Sequence, residues 1–374
     1  MIAAPDWRWD PDRLDDQSYL QEGDPSGMLP LVASSGAQIR IAYRAASEAG
    51  LDRLADDGRP RAVVVAGAGA AALAGDILAA VCGPGLPLPV VTVRSRRLPG
   101  WVGATDLVIV VSRSGRTADT LAVAADAVRR GCYLLVVGGE DTPLQEIAAR
   151  ARAPFVPVST PGPSRAALWE MVVPLLVAAD ALRLTRAGQQ VFEAAARRLE
   201  DVAHRCRPSS ESFINPGKLL ALELAETVPL VWGTSPLTAA AARRFGCQLA
   251  ENAGYPALWG EFPDVGHGQV MTLDGPFARR DVFADDPGRS LRLFMLRDLG
   301  ESPEEAEWRE TCLRLAEERD VPVSELTAEG DHPLERIAGL VGLLDYGSVY
   351  LALGYGVDPT PIPAIMELRA RSTQ

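Results

Sequence analysis

A chain of 374 residues, 47% hydrophobic, is long for a single core, so two domains are the default expectation. Its net charge of −12 excludes a general nucleic-acid surface, which needs a basic face, and its five scattered cysteines, odd in number and without C-x-x-C spacing, point to a reduced cytoplasmic protein. The first ten residues lack a basic stretch followed by an apolar core, and the apolar run 166–184 is interrupted by Glu170, Pro174 and Asp180, so neither a secretory signal nor a membrane span is expected.

An acidic, proline-containing arm, expected to be loosely held, leads into a helix over 29–54. An alternation of strands and helices follows: strand 62–66, the turn Gly67-Ala68-Gly69-Ala70-Ala71-Ala72, helix 73–81, strands 89–93 and 107–111, helix 118–130 ended by Gly131, and strand 133–137. Helices between strands imply right-handed crossovers and a parallel sheet. A helix over 189–205 and Pro208-Ser209-Ser210 mark the passage to a second, weaker echo: strand 228–234, turn Ser235-Pro236, helix 237–250, strand 291–296, helix 303–318, strand 321–326 and helix 333–353. The organisation is therefore an arm and helix (1–58), a first α/β domain (59–190), a helical linker (191–212) and a second α/β domain (213–374). Each domain is read as doubly wound, a parallel sheet flanked by helices.

Ligands of such sheets lie beyond the carboxyl ends of the strands, where the Gly67 turn and the segment Ser112-Arg113-Ser114-Gly115-Arg116-Thr117 both fall. The latter connects a buried strand to a helix whose N-cap is Thr117. Unpaired N–H groups, the positive end of the helix dipole and three hydroxyls at Ser112, Ser114 and Thr117 together suit an oxyanion such as phosphate. Turns favour Ser, Gly and Thr anyway, so one such residue carries no information; three hydroxyls interleaved with a glycine are more specific. Arg94, Arg96, Arg97, Arg113 and Arg116 add local positive charge in an acidic molecule. Gly67-Ala68-Gly69 opening a helix also allows a dinucleotide reading, but that leaves the hydroxyl cluster unexplained. No metal is expected from three histidines without ligand spacing, and Schiff-base chemistry has only Lys218 to use.

The pattern Ser-x-Ser-Gly-x-Thr resembles the signature of sugar isomerase (SIS) domains, which bind phosphosugars. A second constellation extends the likeness: Glu251-Asn252-Ala253, Pro256-Ala257-Leu258-Trp259, Phe262-Pro263-Asp264 and His267, together with Ser164-Arg165-Ala166-Ala167-Leu168 and the tail Gly356-Val357-Asp358-Pro359-Thr360-Pro361-Ile362. From about Val63 to the carboxyl end the chain resembles the dual-specificity phosphoglucose/phosphomannose isomerase family, which has two SIS domains. The resemblance implies interconversion of glucose or mannose 6-phosphate with fructose 6-phosphate through an enediolate, with no cofactor. It implies Glu251 as the base between C1 and C2, His267 as the acid/base for ring opening, and Arg165 as the stabiliser of enediolate charge. Ser112, Ser114 and Thr117, with Gly69 and Ala71, would hold the phosphate. Because the family's histidine comes from the neighbouring subunit, a homodimer with shared active sites is implied, with a small phosphosugar as ligand and neither nucleic acid nor membrane as partner.

The chain departs from the family pattern near the site. A serine in the first glycine turn is replaced by Ala71, with Arg113 and Arg116, where the family has uncharged residues, as candidate compensation. Gly266 and Gly268 replace the asparagines flanking the histidine, Gln269 replaces a glutamate, and Arg369 stands for a late lysine. These changes leave a second function open, a non-catalytic phosphosugar-binding sensor or regulatory protein.

Overall fold

The computed structural model describes residues 7–56, 58–278 and 289–372. Two compact units result, one of residues 34–200 with 331–335, the other containing the described residues of 1–33, 201–330 and 336–374. The chain begins with two short helices, α1 (Gln17–Gly23) and α2 (Met28–Ala33), that belong to the latter unit. The arm ahead of them is not loose. Asp10 N–H and an Arg13 guanidinium N–H both donate to the Gly354 carbonyl, at 3.2 and 3.1 Å, and the Trp9 ring lies 5.3 Å from that of Tyr355. The arm is further tied by Lys218, whose ammonium is buried and donates to the carbonyls of Ser210 (2.6 Å) and Pro208 (2.9 Å) and to Asp15 (3.3 Å).

The 34–200 unit starts with α3 (Ser35–Glu48). The single helix expected over 29–54 is thus broken, at Ser34 and again at Gly50, whose φ of 72° cannot continue an α-helix. Then follow β1 (Val63–Ala66), α4 (Ala70–Cys82), β2 (Val90–Val93), β3 (Leu107–Ser112), α5 (Ala118–Arg129), β4 (Tyr133–Gly138), α6 (Pro143–Ala151), β5 (Phe155–Pro157), α7 (Leu168–Ala181) and α8 (Gln189–Arg205). The five strands are all parallel, in the order β2-β1-β3-β4-β5. Every residue of β1 and β3 is buried, as strands covered on both faces must be. One face packs Val64, Val108 and Val136 against Ala124 and Ala127 of α5 and Ala148 of α6, and each such large apolar side chain contributes about 1.5–3 kcal/mol.

The second unit continues with α9 (Pro216–Leu224), β6 (Thr227–Gly233), α10 (Pro236–Ala253), β7 (Leu258–Glu261), β8 (Ser290–Asp298), α11 (Pro303–Glu317), β9 (Val323–Ala328), α12 (Pro333–Gly354) and α13 (Pro363–Ser372). Its four parallel strands run β7-β6-β8-β9. Among the described residues, α12 is the one helix long and apolar enough to cross a membrane, yet 89% of that stretch is buried in protein, where Asp345 receives two hydrogen bonds from Arg244 at 2.9 and 2.7 Å. It is the core helix of this unit.

Candidate active site

At the carboxyl end of β3 the backbone turns at Gly115, whose φ is 58° and where a Cβ would lie 2.2 Å from the Thr142 hydroxyl, so only glycine fits. Thr142 is itself fixed, donating to the Gly139 carbonyl at 2.8 Å while capping α6. The turn so formed gathers three hydroxyls. Ser112 Oγ and Ser114 Oγ each lie 3.4 Å from Thr117 Oγ1, and the Arg116 N–H lies 3.4 Å from Ser114 Oγ. Hydroxyl hydrogen bonds are normally about 2.7–2.8 Å, so these contacts are weak and leave donor capacity for a ligand. Thr117 is the N-cap of α5 by backbone conformation, but its side chain makes no capping bond. Its hydroxyl faces the other two.

The first glycine turn provides less. Gly69, with φ 56° and ψ −127°, is the N-cap of α4. Ala71 is buried, has no hydroxyl, and its N–H returns to the Ala68 carbonyl at 3.2 Å. The two arginines read as compensation for Ala71 are held by backbone carbonyls. Arg113 donates to Thr160 O at 3.0 and 3.3 Å, and Arg116 donates to Asp141 O at 2.9 Å. Arg165 sits in the single turn Ser164–Ala167 ahead of α7 and is only 2% exposed, so it is not a surface cation. A buried guanidinium must be compensated by its surroundings, which makes its position deliberate in physical terms.

In the other unit, Glu251 lies in the last turn of α10. That helix is closed by Gly254 (φ 61°), with the N–H groups of Gly254 and Tyr255 returning to Ala250 and Leu249 at 3.1 and 3.0 Å. Asn252, buried beside it, donates to Ser348 Oγ of α12 at 2.9 Å and so fixes this end of α10. Glu251 is half-buried and lines a cavity of about 470 Å³, within the range of small-molecule pockets. The other walls come from Trp7 of the arm, Tyr255, Arg289, Tyr355, Ile362 and the first turn of α13. The Arg289 guanidinium stands 5.2 Å from the centre of the Tyr255 ring, over its face. The structure thus joins Glu251 to the Pro361-Ile362 tail that the sequence motif contains. Trp7, Arg289 and Tyr355 are wall residues missed by the sequence reading, since they come from separate segments with no shared spacing, whereas Tyr255 lies within the Glu251 to His267 motif without an assigned role.

His267 does not line this cavity. It is exposed on a single turn, Asp264–His267, its ring 6.4 Å from Trp308. Two of its altered neighbours have packing causes, while at Gly268 a Cβ would meet nothing within 4 Å. A Cβ on Gly266 would lie 2.3 Å from the Trp308 ring, and Gln269 links the buried Trp232 to β7, accepting from Trp232 Nε1 at 2.8 Å and donating to the Trp259 carbonyl at 2.9 Å. Arg369 lies on α13, exposed and outside the cavity lining.

Residues 213–371 match the family described as bacterial phospho-glucose isomerase C-terminal SIS domain. Over 340 residues, 90% of this chain and 96% of the relative, the sequence is 28% identical to a bifunctional phosphoglucose/phosphomannose isomerase of Caldicellulosiruptor bescii. Over most of its length the chain is similar to that family. A bifunctional phosphoglucose/phosphomannose isomerase of Aquifex aeolicus is 27% identical over 75% of this chain and 80% of its own. In fold, a glucose-6-phosphate isomerase from Chlamydia trachomatis superimposes with a TM-score of 0.70 at 12% identity, covering 97% of this chain and 84% of that one. The likeness in fold extends over both α/β units with their parallel sheets.

Proposed function

We propose that this protein is a phosphosugar isomerase acting on glucose, mannose and fructose 6-phosphates. The observation that carries the reading is the group of three hydroxyls around Thr117, none engaged in capping α5, at the positive end of that helix. Such a group matches a phosphate with several acceptor oxygens. The phosphate of an open-chain sugar is held there, and Glu251 moves the proton.

Starting from fructose 6-phosphate, the Glu251 carboxylate takes a proton from C1 as the C2 carbonyl becomes an enediolate. The O1 proton passes to O2 as the C1 aldehyde forms, and Glu251 returns a proton to C2. Delivery to either face of C2 gives glucose or mannose 6-phosphate. Arg165 stabilises the enediolate oxygens, an interaction stronger in the transition state than with the neutral sugar. His267 assists ring opening for a neighbouring subunit, in keeping with its exposure and its place outside the lining of the Glu251 cavity. The reading carries with it a homodimer as the active unit and a cytoplasmic location.

The test is exchange. Fructose 6-phosphate incubated in D₂O is expected to yield aldose phosphate with deuterium at C2, and Glu251→Gln to abolish it, since charge is lost with little change of shape. Unchanged exchange in that variant removes Glu251 as the base. Stabilisation by phosphosugars without any exchange in the native protein selects the sensor, a reading favoured by the missing hydroxyl at Ala71.

A further inference from the structure

Arg113 stands between two serines of the hydroxyl group, yet its side chain is committed elsewhere. Nη2 and Nε both donate to the Thr160 carbonyl, at 3.0 and 3.3 Å. Thr160 in turn is held on its other side by Glu170, which accepts from Thr160 N at 3.0 Å and from Thr160 Oγ1 at 2.7 Å, and from the N–H and hydroxyl of Ser159. Glu170 belongs to the first turn of α7, is 1% exposed, and is surrounded in sequence by the buried Trp169, Met171 and Val172.

Four donors from two consecutive residues fill the acceptor capacity of one carboxylate. An ionised carboxylate on an apolar helix would otherwise be strongly unfavourable, so Glu170 is placed where only this loop satisfies it. Burial works against the Arg113 charge and the negative charge of Glu170 works in its favour, which ties the two ends of the chain of contacts electrostatically as well. The same loop runs directly on to Arg165. One buried carboxylate therefore anchors both the turn that bears Ser112 and Ser114 and the segment that bears Arg165.

We propose that Glu170, Thr160 and Arg113 are positioning residues, a buried strut that holds the Ser112–Thr117 turn in its phosphate-receiving form. The proposal rests on the phosphate reading of that turn. Its physical basis is preorganisation: Ser114 is exposed, its contacts with Thr117 Oγ1 and the Arg116 N–H are 3.4 Å long, and an unanchored turn must be ordered by the ligand at a cost in affinity. Arg113 acts through the backbone of the turn and not as a phosphate ligand.

The experiment compares native protein with Arg113→Met, Arg113→Lys and Glu170→Gln. Inorganic phosphate is titrated by calorimetry well below each melting temperature, and KM and kcat for fructose 6-phosphate are then measured. Arg113→Met is expected to weaken phosphate binding and raise KM by about ten-fold, the order of one charged hydrogen bond, with kcat nearly unchanged. Arg113→Lys, which keeps one donor for Thr160 O, is expected to recover most of the loss. A merely structural role would lower the melting temperature and leave phosphate affinity in the folded protein intact. Phosphate binding by Arg113→Met within two-fold of the native protein, or equal losses in the Met and Lys variants, overturns the strut and leaves the cradle standing. Absence of phosphate binding in the native protein overturns both. Should Glu170→Gln fail to fold, the two Arg113 variants decide the question alone.

Discussion

The turns after β3 and after β8 hold the same place in their sheets, each leaving a strand that lies next to the first strand of its unit, β1 or β6, and each opening a helix. Their chemistry differs. At the end of β3 and in the turn after it stand Ser112, Ser114 and Thr117, whose hydroxyls have one another and, at Ser114, the Arg116 N–H, all at 3.4 Å. After β8 comes Asp298, whose carboxylate accepts from Ser235 Oγ at 2.8 Å and Gly300 N–H at 2.9 Å and pairs with Arg336 at 2.8 Å. Ser302 and Glu305 close a capping box on α11, and Glu301 pairs with the buried Arg309. The second turn carries its own anion, bonded across to the Ser235 turn. Strand-turn-helix geometry is common to both; what distinguishes a ligand site is whether the donors already have an internal acceptor.

The largest expected effect comes from removing that internal anion. Asp298→Ala removes one acceptor from Arg336, Ser235 Oγ and the Gly300 N–H together in a mostly buried place, a loss of about 3–5 kcal/mol, or a melting temperature lower by on the order of 10 °C. Inorganic phosphate is expected to restore part of this, more than it adds to the native protein, because the vacated donors again face an anion. Calorimetric melting with and without phosphate checks both statements. A variant that melts like the native protein would show that Asp298 does not fill its turn.

Next in size is a double dissociation between the turns. Ser114→Ala is expected to weaken phosphate ligands by roughly 10- to 100-fold, the range for a hydrogen bond to a charged group, with little change in melting temperature. Ser235→Ala, which loses a helix cap and a bond to Asp298, is expected to lower stability by about 0.5–2 kcal/mol and leave phosphate affinity alone. Titration and melting of both variants, done side by side, break the comparison if the two losses fall on the same measurement.

Much of this contrast was legible in the sequence, because it is local. Buried β3, with its continuous run of Leu and Val, and the hydroxyl spacing after it lie within one short segment, and the absence of a second Ser-x-Ser-Gly-x-Thr could be read directly. Asp298 could not, since its partners Ser235 and Arg336 are remote in the chain. Short elements escaped for another reason: β5 has three residues, and the edge strand β7 buries only Gly260 and so shows no apolar run. For α6, Thr142-Pro143 did carry a cap and first-turn signal, and α9 carried the same in Asn215-Pro216. The departures at Gly266 and Gln269 looked like losses of chemistry in sequence. In space they answer to Trp308 and Trp232, aromatic rings from other segments.

The smallest effect tests where the first sheet keeps its own buried acid. Asp106 stands at the entry of β3, the end away from the hydroxyl turn, and accepts from Arg61 at 2.9 and 2.6 Å and from Gly103 N–H at 2.8 Å. Burial pushes its carboxyl up, but the guanidinium and the N–H outweigh burial and hold it below the ordinary carboxylate value. A folded-state pKa below the unfolded value of about 3.9 stabilises fully above that pH and is lost as pH falls through the folded value. Melting temperatures of native protein and Asp106→Asn are therefore expected to differ by a constant amount from neutral pH to about 5 and to converge below about 4. The difference is modest because Arg61 is more than half exposed, and solvent screens the pair. A gap that widens in acid would mean that the site disfavours the carboxylate, and that the first sheet, unlike the second, gains nothing from an internal anion at either end of this strand.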